Sequence, residues 1–135
     1  MTELTLQAKL ENLDQVIGFV EEHLLENGCP MKTLAQLQIA VEEIYVNIAS
    51  YAYQSSEGTA TIQITINKEP IQAIITFMDN GLPFNPLLME APDTTLSAEN
   101  RPEGGLGIFM VKNIMDDIKY MYEGEKNILT MCKNF

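Results

Sequence analysis

Basic residues are scarce in this sequence. Eight Lys and Arg face nineteen Asp and Glu among 135 residues, for a formal net charge of −11 at pH 7. Nucleic-acid binding is led by Lys and Arg on phosphates, and anionic membrane surfaces attract the same groups. Neither is expected as a direct partner. Acidity leaves nucleotides open, because backbone N–H groups and a metal ion hold phosphates without basic side chains. Cysteine is nearly absent: only Cys29 and Cys132 occur, and His23 is the single histidine. No zinc-ligand spacing arises from them. They read as reduced, partly buried thiols, with a disulfide or redox role as the alternative. Long apolar runs are missing too. No stretch approaches the roughly 20 apolar residues of a bilayer span, and Met1–Leu10 alternates polar and apolar without a signal-peptide core. A cytoplasmic protein is expected. Repeats, linkers and low-complexity tracts are also lacking.

Apolar residues make up 46% of the chain, which excludes a disordered polymer and suits one domain over 1–135. Leu4, Leu6 and Ala8 alternate with polar residues as in a half-buried strand. Leu13, Val16, Ile17, Val20 and Leu24 recur at helical spacing, and Asn27-Gly28 with Pro30 stops that helix. A second helix is expected over Lys32–Tyr53, with its main stripe at Leu34, Leu37, Val41, Ile44, Ile48 and Ala52. Ile39, Val46 and Ala49 lie off the stripe, so this helix reads as apolar nearly all round and buried. Thr59–Asn67 and Ile71–Met78 form a predicted hairpin turning at Asn67–Pro70. Four prolines between Leu82 and Gly104 break regular structure, and a loop of that length reads as a lid over about 82–104. A helix carrying Ile108, Val111, Met115 and Ile118 follows, then strands at about Lys119–Tyr122 and Ile128–Lys133 around Gly124. The order β-α-α-β-β-lid-α-β-β predicts an α+β, two-layer sandwich, its sheet mixed but mostly antiparallel, with three helices on one face.

Three places could carry chemistry. Glu43 and Asn47 are four apart and share a helix face. Burial raises a carboxylate's proton affinity, as a general base requires, and an amide oxygen is a plausible Mg²⁺ ligand. Their ordinary reading is a rim Glu and a core Asn bonded to backbone. Asp79-Asn80-Gly81 ends a strand, where Asp can accept from an amine and Gly81 lets a ligand approach the backbone. Its ordinary reading is a plain turn. Gly104-Gly105-Leu106-Gly107 opens a helix whose free N–H groups can cradle phosphate. It lacks the Lys and Ser/Thr of a P-loop, and its ordinary reading is a hinge. Each signal is weak by itself; their order and spacing together ask for one explanation, and a nucleotide site supplies it.

With these motifs in place, the chain resembles the Bergerat-fold (histidine kinase-like) ATPases, and within them the small anti-sigma factor serine kinases of the SpoIIAB and RsbW type. Leu37–Tyr53 (LQIAVEEIYVNIASYAY) is similar to the N box, Asp79–Pro86 (DNGLPFNP) to the adenine box, and Gly104–Tyr120 to the glycine-rich box with its helix. The resemblance implies ATP and Mg²⁺ as cofactors. It implies Glu43 as general base, Asn47 on Mg²⁺, Asp79 on the adenine amine, and Gly81 beneath the base. Gly105, Leu106 and Gly107 would line the phosphates, with Arg101 in the lid over them. It also implies a STAS-domain antagonist phosphorylated on serine, a sequestered sigma factor, and a homodimer. Tyr51 stands where the family usually has His, Lys112 where Arg is frequent, and Asn85 where an acidic residue is usual. The alternatives are an ATP-binding interaction module without phosphotransfer, the nucleotide-binding half of a histidine kinase, and a plain α+β domain.

Overall fold

The computed structural model describes residues 1–53, 56–88 and 105–135, with the side chains of 105 and 106 left aside. The chain runs β1 (Thr2–Gln7), α1 (Leu13–Glu26), α2 (Met31–Asn47), β2 (Thr59–Asn67), β3 (Gln72–Asp79), α3 (Gly105–Ile114), β4 (Asp117–Glu123) and β5 (Lys126–Asn134). The sheet order is β1-β2-β3-β5-β4. Every ladder is antiparallel, where a mixed, mostly antiparallel sheet was expected. Two hairpins, β2–β3 and β4–β5, meet along β3 and β5, and β5 lies inside β4.

Strict alternation puts one face of the sheet into the core. Ala60, Ile62 and Ile64 of β2, Ala73, Ile75 and Phe77 of β3, and Leu129 and Met131 of β5 are buried, while their neighbours along each strand are half-exposed. Helical spacing supplies the opposing layer: Val16, Val20 and Leu24 of α1, Leu34, Leu37, Val41 and Ile44 of α2, and Ile108 and Val111 of α3. The helices cover the inner face only, which makes the two-layer sandwich.

Local chemistry sets the boundaries. Gly28 has φ 75°, and the N–H groups of Gly28 and Cys29 bond to the carbonyls of Leu25 and Leu24 at 3.1 Å. That left-handed cap ends α1 where Asn27-Gly28 predicts it. Pro30 precedes α2, where its missing N–H costs nothing. Tyr45 is fully buried. Its hydroxyl accepts from Lys9 N at 3.1 Å and donates to Lys9 O at 2.7 Å, pinning α2 to the segment after β1.

Three details differ from the sequence reading. The Lys32–Tyr53 helix is α-helical to Asn47 and then widens into a π turn over Ile48–Ala52. Ile118 belongs to β4 rather than to the third helix, which ends at Ile114. Ile39 is 41% exposed, because α1 and α3 flank α2 and leave a stripe between them open. Hydropathy around the helix cannot distinguish that stripe from core.

Candidate functional site

The π turn brings the end of α2 against the end of β3. Leu82 N donates to Ala52 O at 2.9 Å. A Cβ at Gly81 would overlap that same carbonyl, so only glycine permits the approach. Asp79, the last residue of β3, is 5% exposed. Its Oδ1 accepts from Gly81 N at 2.9 Å and from Asn127 Nδ2 at 2.9 Å. Asn80 N donates to the Tyr53 hydroxyl at 2.8 Å. The Asp-Asn-Gly turn is thus a fixed corner held from three sides.

Above Asp79 lies a partly open cavity lined by Ile44, Asn47 and Ile48 of the α2 arm, Phe77 and Asp79 of β3, and Leu129 of β5 among others. Tyr51, Leu82, Phe84 and Tyr120 complete its wall. A mostly apolar pocket with a few placed polar groups is the usual form of a small-molecule site. Asn47 is the notable member: its Nδ2 is buried and has no hydrogen-bond partner among the described residues. A buried amide left unpaired costs about 1–3 kcal/mol, and such a group marks a place completed by something outside the protein chain.

Glu43 sits one turn before Asn47 on α2 and faces the first turn of α3. A Cβ on Gly107 would fall within the Glu43 carboxylate, so the two elements touch there. Burial, and then the charge of neighbouring Glu42, push the Glu43 carboxyl above the ordinary carboxylate range. Such a group is readier to take a proton than a solvated Glu.

The structure therefore brings Asn47, Asp79 and Gly81 to one cavity and its rim, and Glu43 to Gly107 beside it. Gly105 and Leu106 open α3 as the glycine pattern predicts. Arg101, Gly104 and the lid beyond residue 88 lie outside the described residues. Lys112 donates to Leu87 O at 2.6 Å, and Asn85 Oδ1 caps the following turn at Leu87 N, 2.9 Å. Both unusual residues thus have local structural partners. Tyr51 is half-exposed at the cavity wall. Sequence reasoning missed Asn127 and Tyr120. The available signal was alternation: Asn127 shares the inward face with Leu129 and Met131, and a polar residue there needs a partner. No group of three or more His, Cys, Asp or Glu side chains that could hold a metal ion occurs among the described residues. No described helix is long and apolar enough to cross a membrane.

Residues 6–133 match the histidine kinase-like ATPase domain family. The chain belongs to that family. Among curated proteins it is similar to the serine-protein kinase RsbW of Bacillus mycoides, 28% identical over 106 residues, which span 76% of this chain and 65% of the relative. RsbW of Bacillus cereus strain ATCC 10987 is 29% identical over the same spans. The chain thus accounts for about 65% of the length of these relatives. Among solved structures, the RsbU and RsbW domains of Rv1364c from Mycobacterium tuberculosis align over 98% of this chain and 32% of that one, with a TM-score of 0.66 at 13% identity. The histidine kinase domain of a blue-light activated histidine kinase from Erythrobacter litoralis aligns over 90% of this chain and 60% of that one, with a TM-score of 0.55 at 14% identity. At those identities the structures speak for the fold.

Proposed function

We propose that this chain is an ATP-dependent serine protein kinase of the anti-sigma factor type. The observation that carries the reading is the cavity itself. It joins a buried acceptor, Asp79, to a buried unpaired amide, Asn47, with a proton-seeking carboxylate, Glu43, one helical turn away. The RsbW relatives support the choice of serine kinase over other chemistries that the family hosts.

In this reading the purine of ATP lies in the apolar cavity and its exocyclic amine donates to Asp79. Gly81 keeps the floor low beneath the ring. The phosphates run toward α3, where Gly105, Leu106 and Gly107 offer backbone N–H groups at the helix start, and Arg101 closes over them from the lid at 82–104. Asn47 would offer Mg²⁺ its amide oxygen, while its buried Nδ2, which has no partner among the described residues, can only donate, for example to an oxygen of the nucleotide. One oxygen ligand plus substrate phosphates is the common way a protein holds Mg²⁺. The ion, when bound, supplies charge neutralisation on the transferring phosphoryl group. Glu43 takes the proton from the acceptor serine as its oxygen attacks the γ-phosphorus, and ADP leaves. Partners of matching chemistry are a small STAS-domain protein presenting that serine and a sigma factor held while the antagonist is absent. The protein would act in the cytoplasm as a homodimer.

Titration calorimetry of Mg²⁺-ATP into wild type and Asp79→Ala tests the site. Micromolar-range binding by wild type and its loss in the variant support the assignment. Absence of binding by wild type, with no nucleotide co-purified, would sink it. Binding without phosphotransfer to any serine-bearing STAS partner would instead favour a nucleotide-controlled interaction module.

A further inference from the structure

The helices cover one face of the sheet; among the described residues, nothing covers the other. The register aligns its outward side chains in rows across the strands. One row runs Glu3, Gln63, Thr76, Thr130, Lys119 from β1 to β4. The row on one side of it holds Met78, Ile128 and Met121 beside Thr61, and the row on the other holds Ile74 and Cys132 beside Thr65. A solvated face of an antiparallel sheet usually carries polar residues. Here apolar ones reach into the middle, and Met121 is 51% exposed. Charge is distributed just as unevenly. Charged residues make up 20% of the chain, but the outward positions of β2 and β3 carry none, and β5 carries only Lys126 at its turn. The outward charges sit on the two edge strands: Glu3 on β1, and Asp117, Lys119 and Glu123 on β4. Gln63 Nε2 donates to Glu3 Oε2 at 2.8 Å, and Lys119 Nζ lies 3.6 Å from Asp117 Oδ2.

We propose that this outer face packs against the same face of a second copy of the chain, about a two-fold axis running along β3. This rests on the homodimer in the reading above and gives it a surface. A two-fold interface uses the same patch on both subunits. With the axis along β3, the two sheets face each other in reversed strand order: β3 over β3, β2 over β5, β1 over β4. Ile74, Thr76 and Met78 then meet their own copies, uncharged against uncharged. Glu3 faces Lys119 of the partner subunit, and does so twice in the dimer. An axis across the strands, along that row, sets Glu3 against Glu3 and Lys119 against Lys119 instead. Charge therefore selects the first arrangement. With a net charge of −11, two copies repel over most of their surface, and the uncharged middle of this face is where they approach at least cost. Area agrees. Five strands about 4.8 Å apart, each about six residues long, present a flat face of about 500 Å². Side-chain relief raises that toward the roughly 800 Å² per partner of a stable interface. Facing sheets pack about 10 Å apart with strands nearly aligned, and the helical layers with their cavities stay on the outside.

Sedimentation velocity over a concentration series tests this on the full chain. It is run at low ionic strength, where surface charges are least screened, with circular dichroism to verify folding. The samples are wild type, Thr76→Arg, Glu3→Lys, and the double variant Glu3→Lys with Lys119→Glu. Wild type is expected to dimerise. Thr76→Arg should raise the dimer Kd at least about hundredfold, because it sets an arginine against its own copy at the centre of the interface. Glu3→Lys should raise Kd about tenfold, because two lysines then face each other at both edges. The double variant restores opposite charges and should return to within about threefold of wild type. A dimeric wild type whose affinity survives both Thr76→Arg and Glu3→Lys overturns the surface and leaves the homodimer standing. If Glu3→Lys dimerises as tightly as wild type, or the double variant no more tightly than Glu3→Lys, the two-fold along β3 is overturned. Should Thr76→Arg not fold, the charge-swap series decides alone. A wild type that stays monomeric up to its solubility limit overturns the surface and the homodimer together, and leaves nucleotide binding to its own test.

Discussion

Gly107→Ala separates catalysis from stability at a single methyl group. An ideal Cβ there would sit 2.9 Å from Glu43 Oε1 and nearer still to Oε2. Non-bonded heavy atoms settle at about 3.5–4.0 Å, so the Glu43 carboxylate must withdraw by more than about 1 Å. The carboxylate is the far end of a flexible side chain, and rotating it away strains little. In the fold's favour, alanine replaces glycine inside α3, worth about 0.5–1 kcal/mol. The melting temperature should hold level or rise by about 3 °C. Phosphotransfer should not survive so well, because a base displaced by about 1 Å loses on the order of 10²-fold in rate. Circular-dichroism melting and single-turnover transfer from labelled ATP to a serine acceptor measure the two sides. A variant that transfers at the wild-type rate while folded would refute the assignment of Glu43 as base. A variant that melts far below wild type would show instead that the α2–α3 contact is chiefly packing.

The remaining expectations concern protons and anchors. With its carboxyl held above the ordinary range, Glu43 loses its proton-accepting form as pH falls, at a higher pH than a solvated Glu. The transfer rate should therefore drop on its acid side before general acid unfolding sets in, and Glu43→Gln should abolish transfer at every pH. The stability sign runs opposite to a salt-bridged acid. The fold favours the protonated form, so ionisation at neutral pH costs stability, and Glu43→Gln should melt at or above wild type near pH 7. That advantage should vanish as pH falls below the unfolded carboxylate value near about 4.3. Tyr45→Phe strands both the N–H and the carbonyl of Lys9, and should lower unfolding free energy in urea by about 1–3 kcal/mol.

The motifs were legible because their residue types are costly elsewhere. A glycine pressed against Ala52, an acid at a buried strand end and an amide inside a helix each need a reason, and their spacing gave one. The faces of β2 followed from alternation in Thr59–Asn67. Sheet order was not legible. Nothing in β5's own sequence says that it pairs with β3 on one side and β4 on the other. For the same reason Asn127 passed unnoticed: its meaning lies in a residue 48 positions away. The π turn was hidden because Ile48 and Ala52 keep an ordinary helical stripe, and Ile118 continued a helical spacing that the turn at Met115 and Asp116 interrupts.

The placement of β5 between β3 and β4 has a consequence for how the molecule comes into being. A ribosome delivers β1, α1, α2 and the β2–β3 hairpin first, and these can collapse together, but one edge of β3 stays bare until β5 emerges and slides in. Until then the Asp79 corner lacks its clamp, the wall at Leu129 is missing, and β3 offers unpaired N–H and C=O groups to any passing strand. A nucleotide would find a finished pocket only after β5 has docked, so binding would report a completed fold of this domain. A nascent chain stalled before Lys126 would be more prone to aggregate than to signal.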